Sequence, residues 1–327
     1  MTKTFFDTLS PQENQRIWER TETLVDLLDN WARRYTAIRA TRIPTAALVT
    51  AMSLSRLPPL DALPAAQVIL WVFGFNDMVD EQRLTPEEMD FKAEQWYRIA
   101  NHGSSNDADR SDELTAILLE IRSELSKSHL FERLRKHWAS RLRILVQAMA
   151  QEHQYALQYS THGNQTLPPL SEYVHGGLNS IGFPFWGATV LVLLRDSSVM
   201  EHLEAIIETI RYAGAAARLY NDVRSLDREI QEKNINSAFI IYHTMLEKDS
   251  SISRERGLSE ARQQVLELAD SYAQRSYDLV RQFSTESGQI EEVISRVVAF
   301  HSYCYGHSER GYDYYTTSSA QVHKKWE

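Results

Sequence analysis

The chain has 327 residues, 43% hydrophobic and 24% charged, with a formal net charge of −9 and one cysteine, Cys304. An acidic balance without a dense Lys/Arg stripe excludes nucleic acid as the main ligand, because binding a phosphate backbone needs a basic footprint. A lone thiol excludes an internal disulfide framework and fits a reducing compartment.

Met1 to Ser10 lacks a basic segment followed by an apolar one, so no signal peptide is read there. No run approaches 18 apolar residues, the closest lying around Trp186 to Leu194, so no membrane span is expected. The sequence reads as soluble and cytoplasmic. With only 12 Gly and 9 Pro and much Ala, Leu, Glu, Gln and Arg, it favours long helices.

Helical periodicity predicts helices near 11–37, 42–55, 63–81, 86–102, 110–127, 129–160, 170–195, 198–230, 235–248, 256–285 and 288–306. Breaks fall at turn chemistry: Leu57-Pro58-Pro59, the stretch after His102-Gly103, Thr161-His162-Gly163-Asn164 and Lys248-Asp249-Ser250-Ser251. Thr85-Pro86-Glu87-Glu88 reads as an N-cap, a proline at the first helical position and acids in the first turn. No alternating β pattern, repeat or linker is seen, so one all-α domain over residues 1–327 is expected. Gly176-Gly177 and Gly182 with Pro184 interrupt one helical stretch. They predict either a packing kink or a break that opens a backbone group toward a ligand.

Two apolar seams turn polar. On the helix near 63–81, Val68, Ile69, Val72 and Phe73 are followed by Asn76, Asp77, Asp80 and Glu81. Carboxylates at such spacings point to one side, and a hard divalent cation would offset the cost of gathering them beside a core stripe. On the helix near 198–230, Leu203, Ile207, Ile210, Gly214 and Ala217 lead to Asn221, Ser225 and Glu229. An amide oxygen, a hydroxyl and a carboxylate then line up over two turns, all donors suited to Mg²⁺. Either acidic stretch alone could be a solvated helix end; their joint occurrence points to a metal site.

Asn221-Asp222-Val223-Arg224-Ser225-Leu226-Asp227-Arg228-Glu229 resembles the second metal motif of class I terpene synthases. Asn76-Asp77-Met78-Val79-Asp80-Glu81, after Trp71, Phe73 and Phe75, resembles their aspartate-rich first motif. The resemblance implies an α-helical bundle around a central cavity, with Asn221, Ser225 and Glu229 as a metal-binding triad. It places Arg228 and the C-terminal Arg310 on diphosphate, and it implies three Mg²⁺ ions and a prenyl diphosphate substrate.

Three departures stand out. Asn76 occupies the place of the leading aspartate, so either it supplies a neutral oxygen or Asp77 carries the metal, and Asp77 assisted by Asp80 is favoured. The usual Arg-Tyr pair reads Arg310-Gly311-Tyr312, which displaces Tyr312. No Lys or Arg occurs between Arg143 and Arg195, and His175 stands where the family has a diphosphate-sensing arginine. Gly182 fits the kinked helix whose carbonyl faces substrate in such enzymes.

The implied chemistry is ionisation of the diphosphate, then rearrangement of an allylic cation in a water-poor pocket, ended by deprotonation or water capture. Phe73, Phe183, Phe185, Trp186 and Tyr303 are the aromatic wall candidates. The favoured substrate is a C20 diphosphate, linear or bicyclised by an upstream class II cyclase, ahead of a C15 one. A homodimer is compatible with the reading. The alternatives are a chain-elongating prenyltransferase, which would carry a second aspartate-rich motif, and a helical binding protein that has lost catalysis.

Overall fold

Helix starts follow capping chemistry. The computed structural model describes residues 5–81, 84–103, 112–232 and 234–306, apart from the side chains of Asn164 and Gln165. Ser10 Oγ accepts the Glu13 N–H at 3.2 Å and Pro11 opens α1 (Pro11–Ala32). Helix α2 (Ile43–Ser53) leads to α3 (Pro59–Asp80). Thr85 and Glu88 form a reciprocal capping box at the start of α4 (Pro86–His102), with Glu88 N–H donating to Thr85 Oγ1 at 3.2 Å and Thr85 N–H to Glu88 Oε2 at 2.8 Å. Then follow α5 (Glu113–Leu125), α6 (Phe131–His162), α7 (Leu170–Ser180), α8 (Phe183–Leu193) and α9 (Leu203–Glu232). The order closes with α10 (Ser237–Lys248), α11 (Arg254–Val280), α12 (Gln289–His301) and a π-helical turn at Ser302–Gly306. Among the described residues there is no strand, and the all-α expectation holds.

The interrupted stretch is two helices. Gly182 lies between α7 and α8 at φ +79°, in the left-handed region that L side chains rarely adopt. A β-carbon there would lie 3.0 Å from Val72 Cγ1, so the break also lets α8 close against α3. Helix α3 starts four residues before its expected position, at Pro59, and runs through Pro64. The backbone bond lost at Pro64 belongs to the first, exposed turn, where Leu60 is 68% exposed, so nothing buried loses a partner.

The core is aromatic where α3, α4, α6 and α8 meet. Trp71 packs edge-on against Trp96 and Phe185, and Phe185 lies 5.5 Å from Trp138. Each buried indole donor in this group is satisfied: Trp71 by the Leu114 carbonyl, Trp96 by Thr115 Oγ1 and Trp138 by Thr189 Oγ1, at 2.8 to 2.9 Å. Helix α9 packs along α11 and touches α7, α8, α10 and α12, so it crosses the middle of the bundle. Two stretches, Pro59–Asp80 and Leu170–Leu193, are apolar and long enough to cross a membrane by length and composition, although no such run was expected from the sequence. Both are mostly covered inside the bundle, 72% and 78%, as the central helices of a large helical core are.

Candidate active site

The two seams read from the sequence face one cavity of about 140 Å³. From α3 come Ile69, Val72 and Phe73; from α9 come Ala217 and Asn221. The α7–α8 break contributes Ile181, Gly182, Phe183 and Trp186. The far wall is Val297, His301 and Tyr305, none of which was singled out in the sequence. No Asp, Glu, Lys or Arg lines this cavity among the described residues. Its walls are carbon and aromatic faces, and the acids lie one to two turns further along α3 and α9.

Four of the wall candidates, Phe73, Gly182, Phe183 and Trp186, line the cavity. Phe185 does not: one helical step rotates it into the Trp71–Trp138 core, where it is 1% exposed. Tyr303 is half-buried against the core, apart from the lining.

At the end of α3 the polar residues divide. Asn76 Nδ2 donates to Asp80 Oδ2 at 2.7 Å, continuing the Ile69–Phe73 face. Asp77 turns the other way and is buried between two guanidinium groups, Arg39 Nε and Arg42 Nη2, each 3.1 Å from a carboxylate oxygen. Arg39 also pairs with Glu81, and Arg42 stacks 5.1 Å from the centre of the Phe73 ring. The residue favoured from sequence as the metal ligand is thus already paired from the segment before α2, while among the described residues Asn76 and Asp80 form no ion pair with a guanidinium. Burial, then the Asp77 charge, raises the Asp80 carboxyl above its usual range, and Glu232 of α9 adds to the effect. Glu232 lies three residues beyond the second motif, at the end of α9.

The second motif is built into a buried polar network. Ser225 Oγ donates to the Asn221 carbonyl at 2.8 Å. Asn236 Nδ2 donates to Glu229 Oε2 at 2.6 Å and to the Asp222 carbonyl at 2.9 Å, while Asn236 Oδ1 caps α10 by accepting from Ala238 N–H. Asp222 is fully buried, accepting from Ser237 N–H at 3.1 Å and pairing with Arg218 Nε at 2.9 Å. Arg218 also meets Glu152 of α6 at 2.9 Å and the Tyr173 hydroxyl of α7. It lies so close over Gly177 that a β-carbon there would be 2.9 Å from Arg218 Cγ. Burial opposes the Arg218 charge, but Asp222 and Glu152 outweigh it and hold the guanidinium charged. The permanent cation that residues 144–194 lack reaches the α6–α7 surface from α9 instead.

Glu229 is pushed up to about 7, first by burial and then by the Asp222 charge, against the pull of Arg218, Asn236 and Ser225. Its nearest exposed cation, Arg228, is 67% exposed and only 4.0 Å away. Two carboxylates raised by burial and like charge, with an amide and a hydroxyl beside one of them, fit a hard divalent cation. No group of three His, Cys, Asp or Glu side chains is preassembled among the described residues.

His175 is exposed and lines a separate surface pocket with Glu208, Arg211 and Tyr272, away from the central cavity. Arg310 and Tyr312 lie outside the described residues.

Comparison with known proteins gives the family and the fold. Residues 67–275 match the family model "Terpene synthase family 2, C-terminal metal binding", and the chain belongs to that family. The chain is a terpene synthase of class I, an enzyme whose family ionises its substrate with Mg²⁺. No curated protein matches the sequence. Among solved structures, the fold is similar to 2-methylisoborneol synthase from Streptomyces coelicolor A3(2), in complex with Mg²⁺ and geranyl-S-thiolodiphosphate. That match has 12% identity, 90% of this chain and 93% of that one covered, and a TM-score of 0.68. It is also similar to the SVS_A2 protein from ancestral sequence reconstruction, with 18% identity, 88% and 84% covered, and a TM-score of 0.68.

Proposed function

We propose that this enzyme ionises a C20 prenyl diphosphate, linear or already bicyclic, and guides the resulting cation through cyclisation in the cavity between α3, α8, α9 and α12. The observation that carries the reading is an uncharged aromatic cavity flanked by oxygen donors on α3 and α9, whose acids Asp80 and Glu229 are raised by burial and by neighbouring acids. Asn221, Ser225 and Glu229 would hold one part of a three-ion Mg²⁺ cluster, with Asn76 and Asp80 on the opposite side. Bound there, the ions would neutralise the diphosphate leaving group. The similar Streptomyces enzyme, captured with Mg²⁺ and a thiolodiphosphate, supports carrying that chemistry over.

The remaining roles fall to the chain's own residues. Arg228 stands beside Glu229 and Glu232, free to swing onto a phosphate oxygen, and Arg310 is assigned the same task by its place in the sequence. Asp77 with Arg39 and Arg42 fixes the end of α3. Phe73, Phe183 and Trp186 exclude water and offer ring faces to the cation. The apolar core shared from Phe5 to Cys304 supports the reading of the chain, residues 1–327, as a single domain. A homodimer, cytoplasmic location and supply of a bicyclic diphosphate by a class II cyclase complete the proposal.

Incubation with Mg²⁺ and C10, C15 and C20 diphosphates, read by gas chromatography and diphosphate release, tests it. The expected result is a cyclic product from the C20 substrate, abolished by EDTA and by Asn221→Ala, Ser225→Ala or Glu229→Ala with helical circular dichroism intact. Undiminished turnover in EDTA, or three active triad variants, overturns it; preference for the C15 substrate moves the chain length alone.

A further inference from the structure

A carbocation that ends as an alkene must give a proton to a base, and the cavity offers few. Its described lining carries no carboxylate and no amine. It does carry one imidazole. His301 continues the buried stripe Ile290, Ile294 and Val297 of α12, a place where periodicity calls for another apolar residue.

The ring is oriented by its own helix. Nδ1 lies 2.8 Å from the Val297 carbonyl oxygen, which can only accept, so Nδ1 carries the hydrogen. Burial lowers the imidazole pKa and keeps the ring neutral, leaving the lone pair on Nε2 at the opposite end. The ring is only partly covered, and it lines the cavity between Phe183, perpendicular at 6.5 Å, and Tyr305 at 5.6 Å. A neutral base placed there does not quench the cation by charge and does not attract water as a carboxylate would.

We propose that His301 is the catalytic residue that ends the cascade, accepting the final proton on Nε2. The C–H bond next to the cationic carbon breaks, its electron pair becomes the new C=C bond, and the proton joins Nε2. The products are a neutral hydrocarbon and an imidazolium, which returns its proton to water as product leaves. This inference rests on the terpene synthase reading and adds the terminating base and the product class, a hydrocarbon.

The test compares wild type with His301→Asn and His301→Phe. With Mg²⁺ and prenyl diphosphate, diphosphate release is expected to fall far less than the yield of the main hydrocarbon. That product's share of turnover should drop about tenfold in favour of isomeric alkenes and alcohols. An unchanged product ratio in both variants, or an alcohol as the main wild-type product, overturns the proposal. ¹⁵N spectra of the histidines in metal-free protein, with His301 assigned from the variants, supply a second readout. A neutral ring protonated on Nδ1 at pH 7 is expected, and an imidazolium or an Nε2–H tautomer overturns the base role even in an active enzyme. Absence of diphosphate release from wild type with every substrate, beside the expected ¹⁵N signature, overturns the terpene synthase reading and the base role with it.

Discussion

Replacing Arg218 with methionine keeps most of the side chain's volume over Gly177 and removes the charge between Glu152 and Asp222. Both acids sit 2.9 Å from the guanidinium, and Asp222 has no exposed surface. Breaking a buried pair by removing one partner costs about 3–5 kcal/mol, because the remaining charge stays desolvated. With an unfolding entropy of about 2.1 cal/mol/K per residue, 327 residues convert that to a fall in Tm of about 4–7 °C. Circular dichroism at 222 nm in EDTA measures it without interference from metal binding.

The pH dependence has a definite sign. Burial already raises the Glu152 carboxyl above its usual range, and loss of Arg218 raises it further. An acid whose folded-state pKa exceeds its unfolded value destabilises the fold at high pH, and the penalty fades as pH falls toward the unfolded pKa. Lowering the pH from 8 to 6 should therefore narrow the gap between variant and wild type, by about 1.4 kcal/mol for each unit over which Glu152 is protonated in the folded variant but not in the folded wild type. A fall in Tm below 1 °C, or a gap that does not change with pH, would refute the assignment of Arg218 as the charge that holds α6, α7 and α9 together.

Because Glu229 must lose a proton that it holds up to about pH 7, half-saturation by Mg²⁺ should require about tenfold more metal at pH 6 than at pH 8. A Mg²⁺ titration of activity that varies by less than twofold over that range contradicts this. Asp80→Asn is expected to cut turnover more than Asp77→Asn, whose main effect should be a stability loss of about 1 kcal/mol as the Asp77 ion pairs with Arg39 and Arg42 are lost. The reverse ranking would restore Asp77 as the metal ligand. His175→Ala should leave turnover within about twofold of wild type, since the side chain faces a surface pocket; a tenfold loss would place it on diphosphate after all.

Much of the architecture was legible because helix signals are local. Thr85 to Glu88 caps α4 as its residue types dictate, and Gly182 breaks the helical stretch where its lack of a β-carbon permits φ +79°. The two seams were legible for the same reason: Phe73 and Asn221 sit where the spacing placed them, against one cavity. What failed was any choice that depends on a distant partner. Asn76 and Asp77 are successive residues that point about 100° apart on the helix, and the ion pairs that engage Asp77 come from Arg39 and Arg42, more than 30 residues earlier. Phe185 has the same composition argument as Phe183, but Trp71 and Trp138 take it into the core. Arg218 has a local partner in Asp222, four residues on, but its wider role was hidden because Glu152 and Tyr173 come from other helices. His301 did give one: it falls four residues after Val297 on a buried stripe, a polar residue at an apolar position.

The closeness of Arg218 to Gly177 bears on how such a chain diverges. The two residues share one volume at the crossing of α7 and α9, and a β-carbon at 177 would intrude to 2.9 Å from Arg218 Cγ. With Arg218 in its observed position, α7 has no room for a side chain at 177. Descendants that move the charge onto α7 must shorten the residue at 218, and those that keep arginine at 218 must keep glycine at 177. Substitutions at these two positions should therefore be inherited as linked pairs, with the sum of their side-chain volumes held nearly constant while each varies widely.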